Sequence, residues 1–353
     1  MGPRWGQRRR CLASLTPALS RRERGQAAGG FLGALMRAAI VGIGGPALDP
    51  AEAALFRGLP PAGVILFARN VADPVQLNAL TASLHGMGSV VLVDQEGGRV
   101  ARLRPPHWRA HPSAGDIGAL PSQAARRAAW LTGALIGVDC REAGIDVVCA
   151  PVLDLLVPGA DGVVGDRAFG SDPDIVGNLA AALADGLLAA GVLPVGKHAP
   201  GHGRAGADSH ATMPWLSAGS EDDLAPFIRC AHLPWMMTAH ILFEAWDPAL
   251  PATLSPTIIR EVIRGRIGFR GLLVSDDLAM GALTGSPAER GLAALAARCD
   301  LAMHCSGALD DSADLLAAAP LLADDARAKL AMRPLPQPLD CPALAAERAE
   351  LLA

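Results

Sequence analysis

The chain has 353 residues, 51% hydrophobic and 4% aromatic with no tyrosine, so one large core of Ala, Val, Leu and Ile is expected, as in parallel strands covered by Ala-rich helices. The formal charge of −4 is uneven: residues 1–35 carry seven Arg and one Glu, a net of +6, which leaves 24 Lys+Arg and 34 Asp+Glu, a net of −10, for the remainder. An acidic body argues against a nucleic-acid partner, the absence of an apolar run of ~18 residues argues against a membrane span, and seven scattered cysteines without a CxxC argue against a disulfide framework or thiolate zinc site and for a reducing, cytoplasmic compartment.

Residues 1–35 show no strand or helix period, and charge in ALSRRERG interrupts any signal-peptide-like stretch. They are expected to form a disordered basic extension, with Met36 as a candidate true start, and residues 36–353 to form the working domain. From Met36 onward, short β-branched-rich runs recur: AAIVGI (38–43), GVILF (63–67), VVLVD (90–94), DVVCAPV (146–152), LPVGKH (193–198), WMMTAH (235–240), LLVSDD (272–277) and CDLAMH (299–304). Continuous apolar runs indicate strands buried on both faces. Ala/Leu-rich helical segments separate them, so the pattern is one of βα units with a parallel sheet. Eight such units predict a single (β/α)8 barrel, and the Pro-rich then helical tail after Pro334 is expected to pack on its exterior as a C-terminal helical tail. A monomer is expected.

Seven of the runs end in polar groups: Arg69-Asn70, Asp94-Gln95-Glu96, Asp154, Lys197-His198, His240, Asp276-Asp277 and His304. In such a barrel the C-terminal strand ends form one rim that carries the catalytic groups, so these ends are expected to converge on one pocket. Four segments concentrate the chemistry. In VDQEGGRVARL (93–103), Gly97-Gly98 make a tight turn that brings an acid, Asp94, and the guanidiniums Arg99 and Arg102 to the rim, where they can grip hydroxyls and carbonyls. GDRAFGSDP (165–173) offers Arg167. KHAPGHGRAGADSHATMP (197–214) holds three His, one Lys, one Asp and three Gly, and reads as a long pliable loop. There Asp208, two residues from His210, can reach an imidazole nitrogen and tune the other as a general acid/base near neutral pH. In GLLVSDDLAMGAL (271–283) two carboxylates close a buried strand, and either Asp276 or Asp277 could be a nucleophile.

Together DQEGGRV, KHAPGHG followed by DSH and Pro, SDDLAM, GVILFARN and the RAFG loop resemble glycoside hydrolase family 3, and within it the bacterial β-N-acetylglucosaminidases of peptidoglycan recycling. The resemblance runs from about Met36 to about Leu330. It implies that Asp276 is the nucleophile, that His210 assisted by Asp208 is the acid/base, and that Asp94, Arg102, Arg167, Lys197 and His198 bind the terminal sugar. The His-rich segment lacks HxH or HExxH spacing, so no metal is expected, and no cofactor is expected. The implied reaction is retaining removal of terminal N-acetylglucosamine from 1,6-anhydro-N-acetylmuramic acid or its peptides, with a β-N-acetylglucosaminide phosphorylase or a broader β-glycosidase as alternatives. Two departures are visible. Ala199 stands where the family usually has Phe, and Arg204-Ala205 stand where Asp-Thr is common.

Overall fold

The computed structural model describes residues 35–160, 162–206, 209 and 212–353. The extension expected over residues 1–35 therefore lies, except for Leu35, outside the described residues. All eight predicted runs form strands: β1 Arg37–Gly42, β2 Pro61–Leu66, β3 Val90–Val93, β4 Val147–Val148, β5 Leu193–Ala199, β6 Trp235–Thr238, β7 Leu272–Val274 and β8 Ala302–His304. They pair in parallel and in chain order, for example Val64 with Val91, Leu92 with Val147 and Met236 with Leu273. β8 pairs back onto β1, with Ala39 opposite Ala302. A parallel bridge from Val274 to Leu301 joins the last two strands and closes the ring. A closed ring has no edge strand, and its walls need apolar side chains on both faces; β2, β3, β5, β6, β7 and β8 are buried at every position.

The covering helices start where the sequence places an N-capping oxygen before a proline. Asp49 precedes α1 (Pro50–Gly58), Asp73 precedes α2 (Pro74–Gly86), Asp172 precedes α5 (Pro173–Ala189) and Ser286 precedes α7 (Pro287–Ala296). Between α2 and α5 lie α3 (Ala114–Gly118) and the long α4 (Ser122–Glu142). α6 (Glu221–Arg229) follows β5, a π-helix spans Ile258–Arg266, and α8 (Leu309–Ala318) follows β8. α9 (Asp324–Leu330) and α10 (Cys341–Leu351) complete the chain.

The tail packs on the barrel exterior as expected. On α10, Arg348 donates from Nη1 to His111 Nδ1 at 2.8 Å and from Nη2 to the Ala110 carbonyl at 3.1 Å. The other ring nitrogen of His111 meets Asp139 of α4 at 3.1 Å, and Arg109 pairs with the same carboxylate. No helix of the described residues is long and apolar enough to cross a membrane.

Residues 199–205, from the end of β5 onward, are packed where a pliable loop was expected. Residues 199–203 and Ala205 are buried. A Cβ on Gly203 would stand 2.1 Å from the Leu155 carbonyl oxygen, so this glycine serves close backbone approach rather than mobility. Arg204 reaches Asp223 at the start of α6 through Nε at 2.7 Å. Of the two departures from the family pattern, Arg204-Ala205 thus acts as an anchor, through a buried Ala205 and an ion pair that fastens the loop to α6, while Ala199 ends β5 fully buried.

Candidate active site

At the C-terminal ends of the strands a cavity of about 290 Å³ opens. Asp94, Arg102, Arg167, Lys197, His198 and Asp276, all singled out from the sequence, line it together. Ile65, Phe67, Met237, Met280 and Met303 supply apolar wall. Asp208 and His210 lie outside the described residues, whereas Ser209, between them in sequence, lines the cavity.

The Gly97-Gly98 turn that follows β3 has both residues at positive φ, 106° and 53°. A Cβ on Gly97 would fall 2.2 Å from the Pro112 carbonyl oxygen. The turn leaves Asp94 and Glu96 on one side of the extended segment and Gln95 on the other, as strand alternation requires. Gln95 holds the returning chain through its side-chain bonds with Arg102 N–H and with both backbone groups of Leu103.

Asp94 and Glu96 bind three cations, Arg102 of their own segment and Lys197 and Arg167 of two others. Lys197 Nζ lies 2.8 Å from Asp94 Oδ1 and 2.7 Å from Glu96 Oε1. Arg102 Nη2 donates to Asp94 Oδ2 at 3.2 Å, and Arg167 grips Glu96 with two bonds of 2.8 and 2.9 Å. Burial pushes both carboxyls up, but the opposing charges win. Lys197 and Arg102 hold Asp94 below the usual carboxylate range, and Lys197 and Arg167 bring Glu96 down to about 2. Burial likewise disfavours the Lys197 ammonium, yet Asp94 and Glu96 raise it above the usual lysine range. Arg99, also at the cavity, pairs with Asp166 at 2.6 Å and donates to the carbonyls of residues 162–164. Each of the four lining Lys and Arg side chains therefore has a carboxylate partner.

Glu96 was named from the sequence only as part of a polar strand end. Its spacing of two from Asp94 was the signal that would have put both acids on the same face.

At the end of β7 the two adjacent carboxylates separate in environment. Asp277 Oδ1 accepts from the N–H groups of Ala279 and Cys305, both at 2.9 Å, and its carbonyl meets His240 Nε2 at 2.9 Å. It ties the chain after β7 to the end of β8. Asp276 Oδ1 accepts only the neighbouring Asp277 N–H, at 2.8 Å, among side-chain bonds of the described residues. Burial raises the Asp276 carboxyl, but His198, His240 and that N–H outweigh it and keep it below the usual range. Beneath His198, Asp154 Oδ2 lies 2.7 Å from Nδ1.

Only three of the seven polar strand ends line the cavity, those at Asp94, Lys197 and Asp276. The others satisfy backbone or lie behind it. Arg69 donates to the carbonyls of Ile43 and Cys305, and Asn70 to those of Ile43 and Gly45. His240 is used by Thr253 and Asp277. Among the described residues His304 Nδ1 is buried without a partner, and Asp154 sits under His198. Strand ends in a closed ring leave loop carbonyls to be paired, and polar side chains there serve that need as often as a ligand.

Comparison with known proteins places this geometry. The profile "Glycosyl hydrolase family 3 N terminal domain" matches residues 50–328. A β-hexosaminidase of Alkalilimnicola ehrlichii is 42% identical over 291 residues, covering 78% of this chain and 81% of that protein. The crystal structure of NagZ from Neisseria gonorrhoeae with N-trifluoroacetyl-D-glucosamine superposes with a TM-score of 0.80 at 30% identity, covering 90% of this chain and 98% of that one. The β-N-acetylhexosaminidase of Beutenbergia cavernae superposes with a TM-score of 0.71 at 26% identity, covering 93% and 96%.

Proposed function

Since the chain belongs to glycosyl hydrolase family 3, we propose that this β-hexosaminidase is a retaining exo-β-N-acetylglucosaminidase with Asp276 as its nucleophile. The observation that carries the reading is Asp276 itself, a carboxylate at a barrel strand end, facing the cavity and held ionised by its surroundings. Asp276 attacks the anomeric carbon as the bond to the leaving oxygen breaks, and His210, oriented by Asp208, gives that oxygen its proton. Water then displaces Asp276 from the same carbon while His210 takes the proton back. An N–H from Asp277 steadies the Asp276 oxygen that does not bond carbon.

Asp94, Arg102, Arg167, Lys197 and His198 bind the terminal sugar. The cavity, about 290 Å³, is at the small end of ligand sites, which start at roughly 300 Å³, and this supports exo action on one residue. The substrate is N-acetylglucosamine linked to 1,6-anhydro-N-acetylmuramic acid, free or peptide-bearing, and the role is in cell-wall recycling. The buried free cysteines Cys140, Cys149, Cys230, Cys299 and Cys305 support a cytoplasmic, reducing location. Phosphorolysis would bring an anion to the cavity, and the pairing of its four cations with carboxylates favours water instead.

Product analysis on anhydro-muropeptides with and without phosphate tests the reading. Free N-acetylglucosamine under both conditions is expected. Sugar 1-phosphate formed when phosphate is present, or no release at all, would overturn it.

A further inference from the structure

Asp154 follows β4 and is 1% exposed. It carries no role in the reaction so far. Its Oδ2 lies 2.7 Å from His198 Nδ1, while its Oδ1 accepts the His202 N–H at 2.7 Å and, more weakly, the His198 N–H at 3.4 Å. The two backbone donors fix the plane of the carboxylate, which leaves Oδ2 aimed at the ring. Burial would raise this carboxyl, but His198 and His202 keep it below the usual range, so it stands ready as an acceptor. With Nδ1 occupied, Nε2 is the nitrogen that His198 has left for the cavity it lines.

We propose that Asp154 is a positioning residue for the glycosidase reaction, holding the His198 ring in the Nδ1–H state with Nε2 presented to the sugar. This rests on the functional reading above. An asparagine of the same size has one acceptor oxygen and an amide donor in place of two acceptors. If its oxygen serves the His202 N–H, its NH2 meets Nδ1 and drives the ring to the opposite tautomer, with the proton on Nε2. Nε2 then offers the sugar a fixed donor where it had offered an acceptor, or a donor only when protonated.

Imidazole nitrogen NMR on the full chain at neutral pH, with the His198 signals assigned by their loss in His198→Gln, reads the tautomer directly. The protein is expected to show His198 protonated at Nδ1, and Asp154→Asn to move that proton to Nε2. In parallel, Asp154→Asn is expected to lower kcat/KM on an aryl N-acetylglucosaminide by 10- to 100-fold, and by less than twofold when introduced into His198→Ala, because neighbours acting through one another are not additive. A bare Nδ1 in the unaltered protein overturns the proposal, and this arm needs no Asp154 variant to fold. An equal penalty with and without His198 also overturns it. Failure of the unaltered protein to cleave any N-acetylglucosaminide would sink the functional reading instead, and the nitrogen spectrum would still decide the orientation.

Discussion

Replacing Glu96 with Gln removes one charge from the centre of the cavity network while keeping the side chain's shape. Glu96 accepts from Lys197 at 2.7 Å and from Arg167 at 2.8 and 2.9 Å, and the three side chains are 7%, 3% and 12% exposed. Gln can accept with its one oxygen, but its NH2 then confronts a cation. Lys197 retains Asp94, whereas Arg167 loses its bidentate partner. Breaking a buried pair costs about 3–5 kcal/mol. With an unfolding entropy of ~2.1 cal/mol/K per residue, or roughly 0.7 kcal/mol/K for a barrel of this size, the expected fall in Tm is about 4–7 °C.

The pH dependence carries a sign. The Glu96 carboxyl falls from 4.5 to about 2 on folding, so its contribution is fully present above 4.5 and is lost as pH drops through the window toward 2. Calorimetry of both proteins should show the full Tm gap at pH 7 and a smaller one at pH 3.5. A gap that does not narrow, or one below 1 °C at pH 7, would refute the reasoning. With Arg167 displaced, KM for an aryl N-acetylglucosaminide should rise, by roughly tenfold if about 1.4 kcal/mol of ground-state binding is lost.

His210→Ala should slow cleavage of sugar leaving groups by ~100- to 10,000-fold and activated aryl glycosides far less; equal slowing of both classes would show that His210 is not the general acid. Arg348→Ala should destabilise the protein by roughly 1–3 kcal/mol in urea titration, because it strips the buried His111 Nδ1 of its donor. Burial, with a further push from Arg348, lowers the His111 pKa below 6.5, so this group adds stability above 6.5 that is lost as pH falls. Removing Arg348 should accordingly shrink the drop in stability between pH 7 and pH 5.5, and an unchanged drop would contradict the assigned contact.

All eight strands were legible because both faces of a closed parallel ring are buried, which leaves runs such as VVLV at β3 and WMMT at β6 with no polar interruption. Asp94, Lys197, His198 and Asp276 come together because they lie at strand ends, where the barrel's geometry converges, and the loops after β3 and β4 add Arg102 and Arg167 to the same cavity. Less local features were not legible. Asp276 and Asp277 are chemically identical in the sequence, and what separates them is the Cys305 N–H, which is brought to Asp277 by the closing strand. Glu96 looked like an appendage to Asp94 until Arg167, 71 residues away, turned out to be its partner. Arg69 and His240 were read toward the pocket, and each instead meets backbone carbonyls contributed by distant turns. The Gly-rich stretch after β5 read as pliable because glycine content does not distinguish freedom from close packing, and at Gly203 it is packing against Leu155.

The identity of the nucleophile is tested most directly by trapping the glycosyl-enzyme. An N-acetylglucosaminyl fluoride bearing a second fluorine at C5 loses fluoride from C1 readily to an enzymic carboxylate, while the electron-poor intermediate hydrolyses slowly. Intact mass followed by peptide mapping should find one added sugar, attached to Asp276 and absent in Asp276→Ala. An adduct on Asp277, or no adduct while the unaltered protein continues to release N-acetylglucosamine from ordinary substrates, would contradict the account.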